Sequence, residues 1–342
     1  MFSPGKSTFS PRRTATALLA AVVVAAMSAC ASTAPKSSGS SGSTGSAAGS
    51  GKTFVIGYSQ SNNAEPYRAQ LNLQLAYYVK KYPDLKLLPI TDAHQDSATQ
   101  VSQVQNFVQQ KVDVLIVSPN EPAPLTAAVQ QACDAHIPVI ILDRSVNTDC
   151  YTAFIGGDNY TIGKLAGQAA VAALPSGGNV AELQGILSDQ PQIDRDKGFR
   201  DAIAGHDITI VYHQEAKWLK ANATTIMQQW LSQGTKIDLV YGENDDMSLG
   251  AILAAQGANK ADQIKFLGID GLAIPTGGIR AVQQGSMLTT FIYPTGAEQA
   301  AATAEAIAHG QSVNKKQTLQ TTQITKDNAD AVYKQYDMTT KS

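Results

Sequence analysis

From residue 53 onward, apolar residues fall into short β-branched runs that alternate with longer stretches repeating every three or four positions. A short apolar run bounded by polar or turn residues reads as a buried strand, and the 3.6 period as a helix lying on a core. Residues 53–59, 85–91, 114–117 and 137–142 fit the first description. Residues 65–82, 97–111 and the stretch ending at Ala135 fit the second, with Pro83 stopping the first helix. After Phe154-Ile155-Gly156-Gly157 the alternation restarts. It gives helices at 162–173, 193–204, 221–233, 247–256, 274–284 and 297–309, and strands at 179–183, 208–212, 239–241, 264–269 and 287–292. The remainder is short, polar and strand-like. Such alternation builds parallel sheets with helices on both faces. The strands are too many for one mononucleotide-type sheet, so the restart near Gly157 predicts an α/β protein of two similar doubly wound lobes.

The N-terminal residues stand outside this pattern. Lys6, Arg12 and Arg13 precede an apolar run over 15–27, and small residues then lead to Cys30. This reads as a secretory signal at 1–29, too short and wrongly flanked to be a spanning helix. Met27-Ser28-Ala29-Cys30 resembles the bacterial lipobox, in which the cysteine becomes the acylated first residue, although methionine is a less usual start to that motif. Arg12-Arg13 alone is a poor match to the twin-arginine signal. Residues 32–52 are rich in Ser, Gly, Ala and Thr, bury too little to order themselves, and read as a flexible tether. A lipidated Cys30 opening a linker over 30–52 predicts a protein held at the outer face of a membrane. Gly51-Lys52-Thr53 is not a phosphate-binding loop. Ser46 stands where its first glycine is needed, and a strand rather than a helix follows.

Composition narrows the class. The chain has 342 residues, 43% hydrophobic and 16% charged, enough for a sizeable core and two domains. A net charge of −2 argues against a nucleic-acid surface, and loss of residues 1–29 leaves −5. With Cys30 acylated, Cys133 and Cys150 remain as a pair in an oxidising compartment, which suits a disulfide; two unpaired cysteines are the alternative. The five histidines are scattered and lie at no ligand spacing relative to the cysteines, so neither a metal nor a cofactor is expected.

Candidate chemistry gathers where strands end, the place at which open parallel sheets bind ligands. The 137–142 strand ends in Asp143-Arg144, and the first strand leads to Asn62, Asn63, Tyr67 and Arg68. Arg195 opens a helix after the Gln184-Gly185 strand end, Trp218 follows the His213 loop, and two further strands lead into Asn244-Asp245-Asp246 and Asp270-Gly271. Each has a plainer use. Asp143 and Arg144 suit a strand-end ion pair, Arg68 and Arg195 a solvated helix face, and Asn244 to Asp246 a helix cap. Adjacent Asp245 and Asp246 also suit Mg²⁺, but no further acid lies at usable spacing. Trp230 lies on an apolar helical face and reads as core, whereas polar neighbours favour an exposed or cleft position for Trp218. Together the set suits a polyhydroxylated ligand. Carboxylates accept from neighbouring hydroxyls, arginine forks donate, and charge assistance strengthens both. Tyr67 and Trp218 offer flat faces to a sugar ring. No nucleophile–base pair, elbow motif or dinucleotide fingerprint appears, so the chemistry is capture rather than conversion.

Five stretches carry a family resemblance: Ile140-Ile141-Leu142-Asp143-Arg144-Ser145, Glu182-Leu183-Gln184-Gly185, Ile193-Asp194-Arg195 with Gly198-Phe199, Asn244-Asp245-Asp246-Met247 with Gly250-Ala251, and Gly268-Ile269-Asp270-Gly271. Over residues 53–325 the sequence resembles type I periplasmic sugar-binding proteins of bacterial ABC importers, the ribose-binding-like group. Tyr67-Arg68 and the Asn-Asp-Asp-Met run make it most like the galactofuranose-binding type. The resemblance implies that Asp143, Arg144, Arg195, Asn244 and Asp270 bind sugar hydroxyls and the ring oxygen, with Tyr67, Arg68 and Trp218 lining the cleft. Two departures argue against ribose itself. Tyr67 stands where close relatives carry tryptophan, and Pro294-Thr295-Gly296 lacks the glutamine of ribose binders. The resemblance further implies lobes of 53–157 plus 296–324 and 158–295 plus 325–342, joined by a three-segment hinge. It implies a monomeric, non-enzymatic carrier of a monosaccharide, served by permease subunits and anchored to the membrane by lipid. A repressor of the same core needs an N-terminal DNA-binding helix pair where this chain has a signal and tether. A sensor presenting its ligand to a membrane receptor shares every feature above, and an extracellular enzyme has the least support.

Overall fold

The computed structural model describes residues 51–338; the signal, Cys30 and nearly all of the tether lie outside the described residues. The first half runs β1 (Phe54–Gln60), α1 (Pro66–Val79), β2 (Leu85–Leu87), β3 (Thr91–Asp92), α2 (Ser97–Gln110), β4 (Val114–Ser118), α3 (Pro122–Asp134), β5 (Val139–Leu142) and β6 (Ala153–Gly157). The second runs α4 (Asn159–Ala173), β7 (Gly178–Gln184), α5 (Gln190–Ile203), β8 (Ile208–Glu215), α6 (Lys220–Gln233), β9 (Leu239–Gly242), α7 (Asp245–Gly257), β10 (Lys265–Leu267), α8 (Gly278–Gln284) and β11 (Thr290–Phe291). It closes with α9 (Ala297–Ala308), β12 (Lys316–Leu319), β13 (Gln323–Ile324) and α10 (Ala329–Tyr336).

Two parallel sheets result. One has the order β12-β6-β5-β4-β1-β2, with β3 also on β1, and the other the order β10-β9-β7-β8. The β-branched runs occupy the sheet centres, where β4 and β5 are buried along their whole length. Strand membership leaves the first sheet after β6, returns at β12 and leaves again at β13, which pairs antiparallel with β11. Trp230 is buried in the second lobe and stacks on Tyr212, its ring centroid 5.3 Å away. Cys133 and Cys150 form a disulfide that ties the end of α3 to the loop after β5, their Cα atoms 6.1 Å apart.

Three expectations change. The 85–91 strand is two pieces, β2 and β3, broken at Leu88-Pro89-Ile90, because Pro89 cannot donate to a ladder. The helix expected over 274–284 begins only at Gly278, after Pro275 and Gly277. The strand-like remainder holds the short strands β12 and β13 but ends in a helix. α10 buries Ala329 and Val332, and packs on α8.

A closed cleft lined by arginines and carboxylates

Loop geometry and helix contact place the side chains. Asn62 folds the chain after β1, its Oδ1 accepting from the Ala64 and Glu65 amides while its Nδ2 holds Glu65 Oε1 at 2.7 Å. Asn63 by contrast is exposed. Pro66 starts α1 and brings Tyr67 and Arg68 inward. Arg195 is placed by close packing of α4 on α5. A Cβ on Gly163 would lie 2.2 Å from the Arg195 carbonyl oxygen, and one on Gly198 2.2 Å from that of Tyr160. Gly185 likewise leaves room for the Trp218 ring, whose Cζ2 would be 2.0 Å from an added Cβ. Asp143, Trp218 and Asp270 have φ of 72°, 68° and 136°, conformations uncommon for residues with a side chain and concentrated at functional sites.

All eight residues singled out from the sequence line one cavity. Tyr67, Arg68, Asp143 and Arg144 come from the first lobe, and Arg195, Trp218, Asn244 and Asp270 from the second. Glu65, Pro191 and Tyr293 complete the wall of this narrow space.

The charges are buried and interlocked. Arg68 Nη2 meets Asp143 Oδ2 at 2.5 Å, and its Nη1 donates to Ser118 Oγ at 2.5 Å. Arg68 Nε is buried without a hydrogen-bond partner. Arg144 donates from Nη1 to the Asn120 carbonyl at 3.0 Å, and its Nη2 lies 3.4 Å from Glu65 Oε1. Its Nε reaches across to Asp189 Oδ2 of the second lobe at 3.1 Å. The same Asp189 oxygen accepts from Trp218 Nε1 at 3.0 Å. Arg195 donates to Asn159 Oδ1 at 2.9 Å and to the Glu243 carbonyl at 2.6 Å, and lies over the Tyr293 ring at 4.6 Å. Burial alone would raise Asp143, but Arg68 and Arg144 outweigh it and hold its carboxyl below the usual range. Burial lifts Asp189 to about 6 against the pull of Arg144. Burial and the neighbouring Asp245 carboxylate push Asp270 well above the carboxylate range, with Arg195 opposing.

Asp245 and Asp246 do not converge on a cation. Asp245 accepts from Gly271 N at 2.8 Å and Thr290 Oγ1 at 2.6 Å, fixing the loop that carries Asp270. Asp246 instead accepts from Lys220 N at 3.0 Å, at the start of α6. Asn244 is the α7 cap, accepting from Met247 N at 2.8 Å, and it lines the cavity as well. Sequence reasoning passed over Glu65, Tyr293 and Asp189. Tyr293 directly follows a predicted strand and so was within reach of the strand-end rule. Asp189, in the polar loop before α5, differs from other loop acids only through its distant partners.

Two parallel-sheet lobes closed on one small polar cavity, with buried guanidiniums and carboxylates facing inward, define a binding protein of the two-lobed type. The chain belongs to the periplasmic binding protein family, matching the periplasmic binding protein domain over residues 56–332. It is 31% identical to the ribose import binding protein of Salmonella typhimurium over 204 residues, which are 60% of this chain and 68% of that protein. Among solved structures, it superposes on the fructose binding periplasmic domain of a hybrid two component system with a TM-score of 0.80. That pair is 32% identical, covering 84% of this chain and 96% of the other. It superposes on a galactofuranose binding protein with a TM-score of 0.77 and 28% identity, covering 83% and 98%. These are binding proteins, and the chain is a type I periplasmic sugar-binding protein by family, not an enzyme.

Proposed function

We propose that this protein is the extracytoplasmic solute-binding lipoprotein of an ABC sugar importer, capturing a monosaccharide between its lobes and delivering it to permease subunits. The observation that carries this reading is the cavity itself. Three arginines and three carboxylates from both lobes line it, the donors and acceptors that a small polyol needs. Asp143, Arg144, Arg195, Asn244 and Asp270 are assigned to hydroxyls and the ring oxygen, Arg68 to orienting Asp143, and Tyr67 and Trp218 to the ring faces. The relatives named for ribose import, fructose and galactofuranose support a pentose or hexose, and the Tyr67 and Pro294 departures favour a sugar other than ribose. We assign residues 53–157 with α9 and β12 to one lobe and residues 158–295 with β13 and α10 to the other, the three crossings forming the hinge; the pairing of β13 with β11 moves the third crossing from after Ile324 to just before Gln323. Contacts from both lobes to one ligand favour the closed state, and the closed state is the form a permease recognises. Acylation of Cys30 and the tether keep the monomeric protein at the membrane's outer face. The ribose import relative favours transport over presentation of the ligand to a sensor.

A thermal-shift screen of furanose and pyranose sugars, followed by calorimetry, tests the reading. A ligand at a thousandfold its Kd adds about 4 kcal/mol to apparent stability. A large shift for one sugar, abolished by Arg195→Ala and accompanied by quantitative recovery of unchanged sugar, is the expected result. No shift with any sugar overturns it. Equal permease capture of empty and loaded protein overturns the delivery step.

A further inference from the structure

Away from the cleft, three side chains converge on one point of the first lobe's outer surface. Glu305 and His309 stand one turn apart at the end of α9, and Asp84 follows Pro83 just before β2. The Asp84 backbone is fixed, its carbonyl accepting from Phe54 N at 2.8 Å. Asp84 Oδ2 lies 2.7 Å from His309 Nε2, and Glu305 Oε1 lies 3.3 Å from that same nitrogen. A single ring nitrogen offers one proton or one lone pair, so it cannot serve two carboxylates equally. The second Glu305 oxygen is buried with no hydrogen-bond partner.

We propose that Asp84, Glu305 and His309 form a binding site for a first-row divalent metal ion of the zinc type. One donor atom from each residue lies within 4.8 Å of the others. A tetrahedral ion with ligands at about 2.0–2.1 Å sets them about 3.3 Å apart, which the Glu305–His309 pair already matches and which Asp84, now 2.7 Å from His309, reaches by opening about 0.6 Å. One imidazole and two carboxylates are ligands that zinc takes, whereas calcium and magnesium prefer oxygen alone. The Phe54 ring meets the His309 ring edge-on at 5.4 Å and holds it in orientation. His309 remains 44% exposed on its side chain, leaving a path for the ion and for a water as fourth ligand. Bound metal would fasten the end of α9 to the turn between α1 and β2. The histidine-to-cysteine spacing could not reveal this set, because Asp84 and His309 are 225 residues apart and no cysteine takes part.

The test is titration of the purified, tag-free full chain with Zn²⁺ against a chromogenic chelator, with Co²⁺ absorption as a second readout. The expected result is one saturable site with micromolar or tighter affinity, a rise in thermal midpoint, and visible Co²⁺ bands. His309→Ala and Asp84→Asn should each weaken binding at least tenfold and remove the bands, with unchanged far-ultraviolet circular dichroism. His206→Ala should bind as wild type. Absence of saturable binding, or equal binding by wild type and His309→Ala, overturns the proposal and leaves an ordinary ion-paired histidine.

Discussion

Replacing Asp270 by asparagine should separate binding from stability. Asp270 lines the cavity at 6% exposure, and burial together with Asp245 raises its pKa while Arg195 pulls it down. With the folded value raised, the folded state holds the proton more tightly than the unfolded chain. This group's contribution is therefore best below the unfolded value near about 4 and declines as pH rises above it. Asparagine keeps the shape, removes the charge and shares aspartate's tolerance of positive φ. At pH 7 the empty variant should unfold at the same temperature as wild type or higher, and the difference should shrink towards pH 4. Affinity should move the other way. A hydrogen bond to the neutral acid that the raised pKa favours contributes about 0.5–1.5 kcal/mol. At about 1.4 kcal/mol per tenfold, Kd should rise about 2- to 12-fold for the sugar that wild type binds. Calorimetry gives the affinity, and thermal denaturation across pH gives the stability. Unchanged affinity would remove Asp270 from the ligand contacts. Parallel loss of affinity and stability would make it a structural residue, and either result refutes the reasoning.

Gly185→Ala puts a methyl into the Trp218 ring, so it should cost about 1–3 kcal/mol in chemical denaturation and displace the ring enough to weaken sugar binding. Asp189→Asn should weaken affinity in calorimetry although Asp189 is not in the cavity wall, because it loosens the 3.1 Å contact by which Arg144 spans the lobes. Burial and the Asp196 carboxylate lift Glu182 to about 8. Wild type should therefore lose stability as pH rises from about 4.5 to 8, and Glu182→Gln should flatten that decline in denaturant midpoints measured at pH 5, 6.5 and 8.

The period of the apolar residues made the alternation of strands and helices legible, because both sheets are parallel and bury their strands on both faces. Element ends were less legible where a cap or a proline decides. Asn244 starts α7 two residues before its first periodic residue, and Pro275 with Gly277 delays α8. α10 escaped because its eight residues make barely two turns, although Ala329, Val332, Tyr333 and Tyr336 do fall at helical spacing. The cavity residues were legible to the extent that each stands at a strand end or opens a helix beside one. Glu65 and Asp189 act through partners far off in sequence, Arg144 among them, and no local spacing encodes that. The same holds for Asp84, Glu305 and His309, where the fold supplies the adjacency.

The cleft combines two features that each oppose folding. Buried ion pairs recover their desolvation cost only with good geometry and further hydrogen bonds, and residues at positive φ cost about 1–3 kcal/mol each. Arg144 belongs to the first lobe, yet its Nε finds its carboxylate in the second. Trp218 carries its strained backbone in the second lobe, yet Arg144 from the first lies over its ring at 5.6 Å. With the lobes apart, Arg144 and Trp218 would lose this contact, while the local strain at Asp143, Trp218 and Asp270 would persist. Arg144's contacts with Asp189 and Trp218 thus belong to the closed arrangement, whereas Arg68–Asp143 and Arg144–Glu65 stay within the first lobe. On the proposed function, a ligand that bonds to groups of both lobes would add to the same side of the balance, and recognition and closure would share residues such as Arg144.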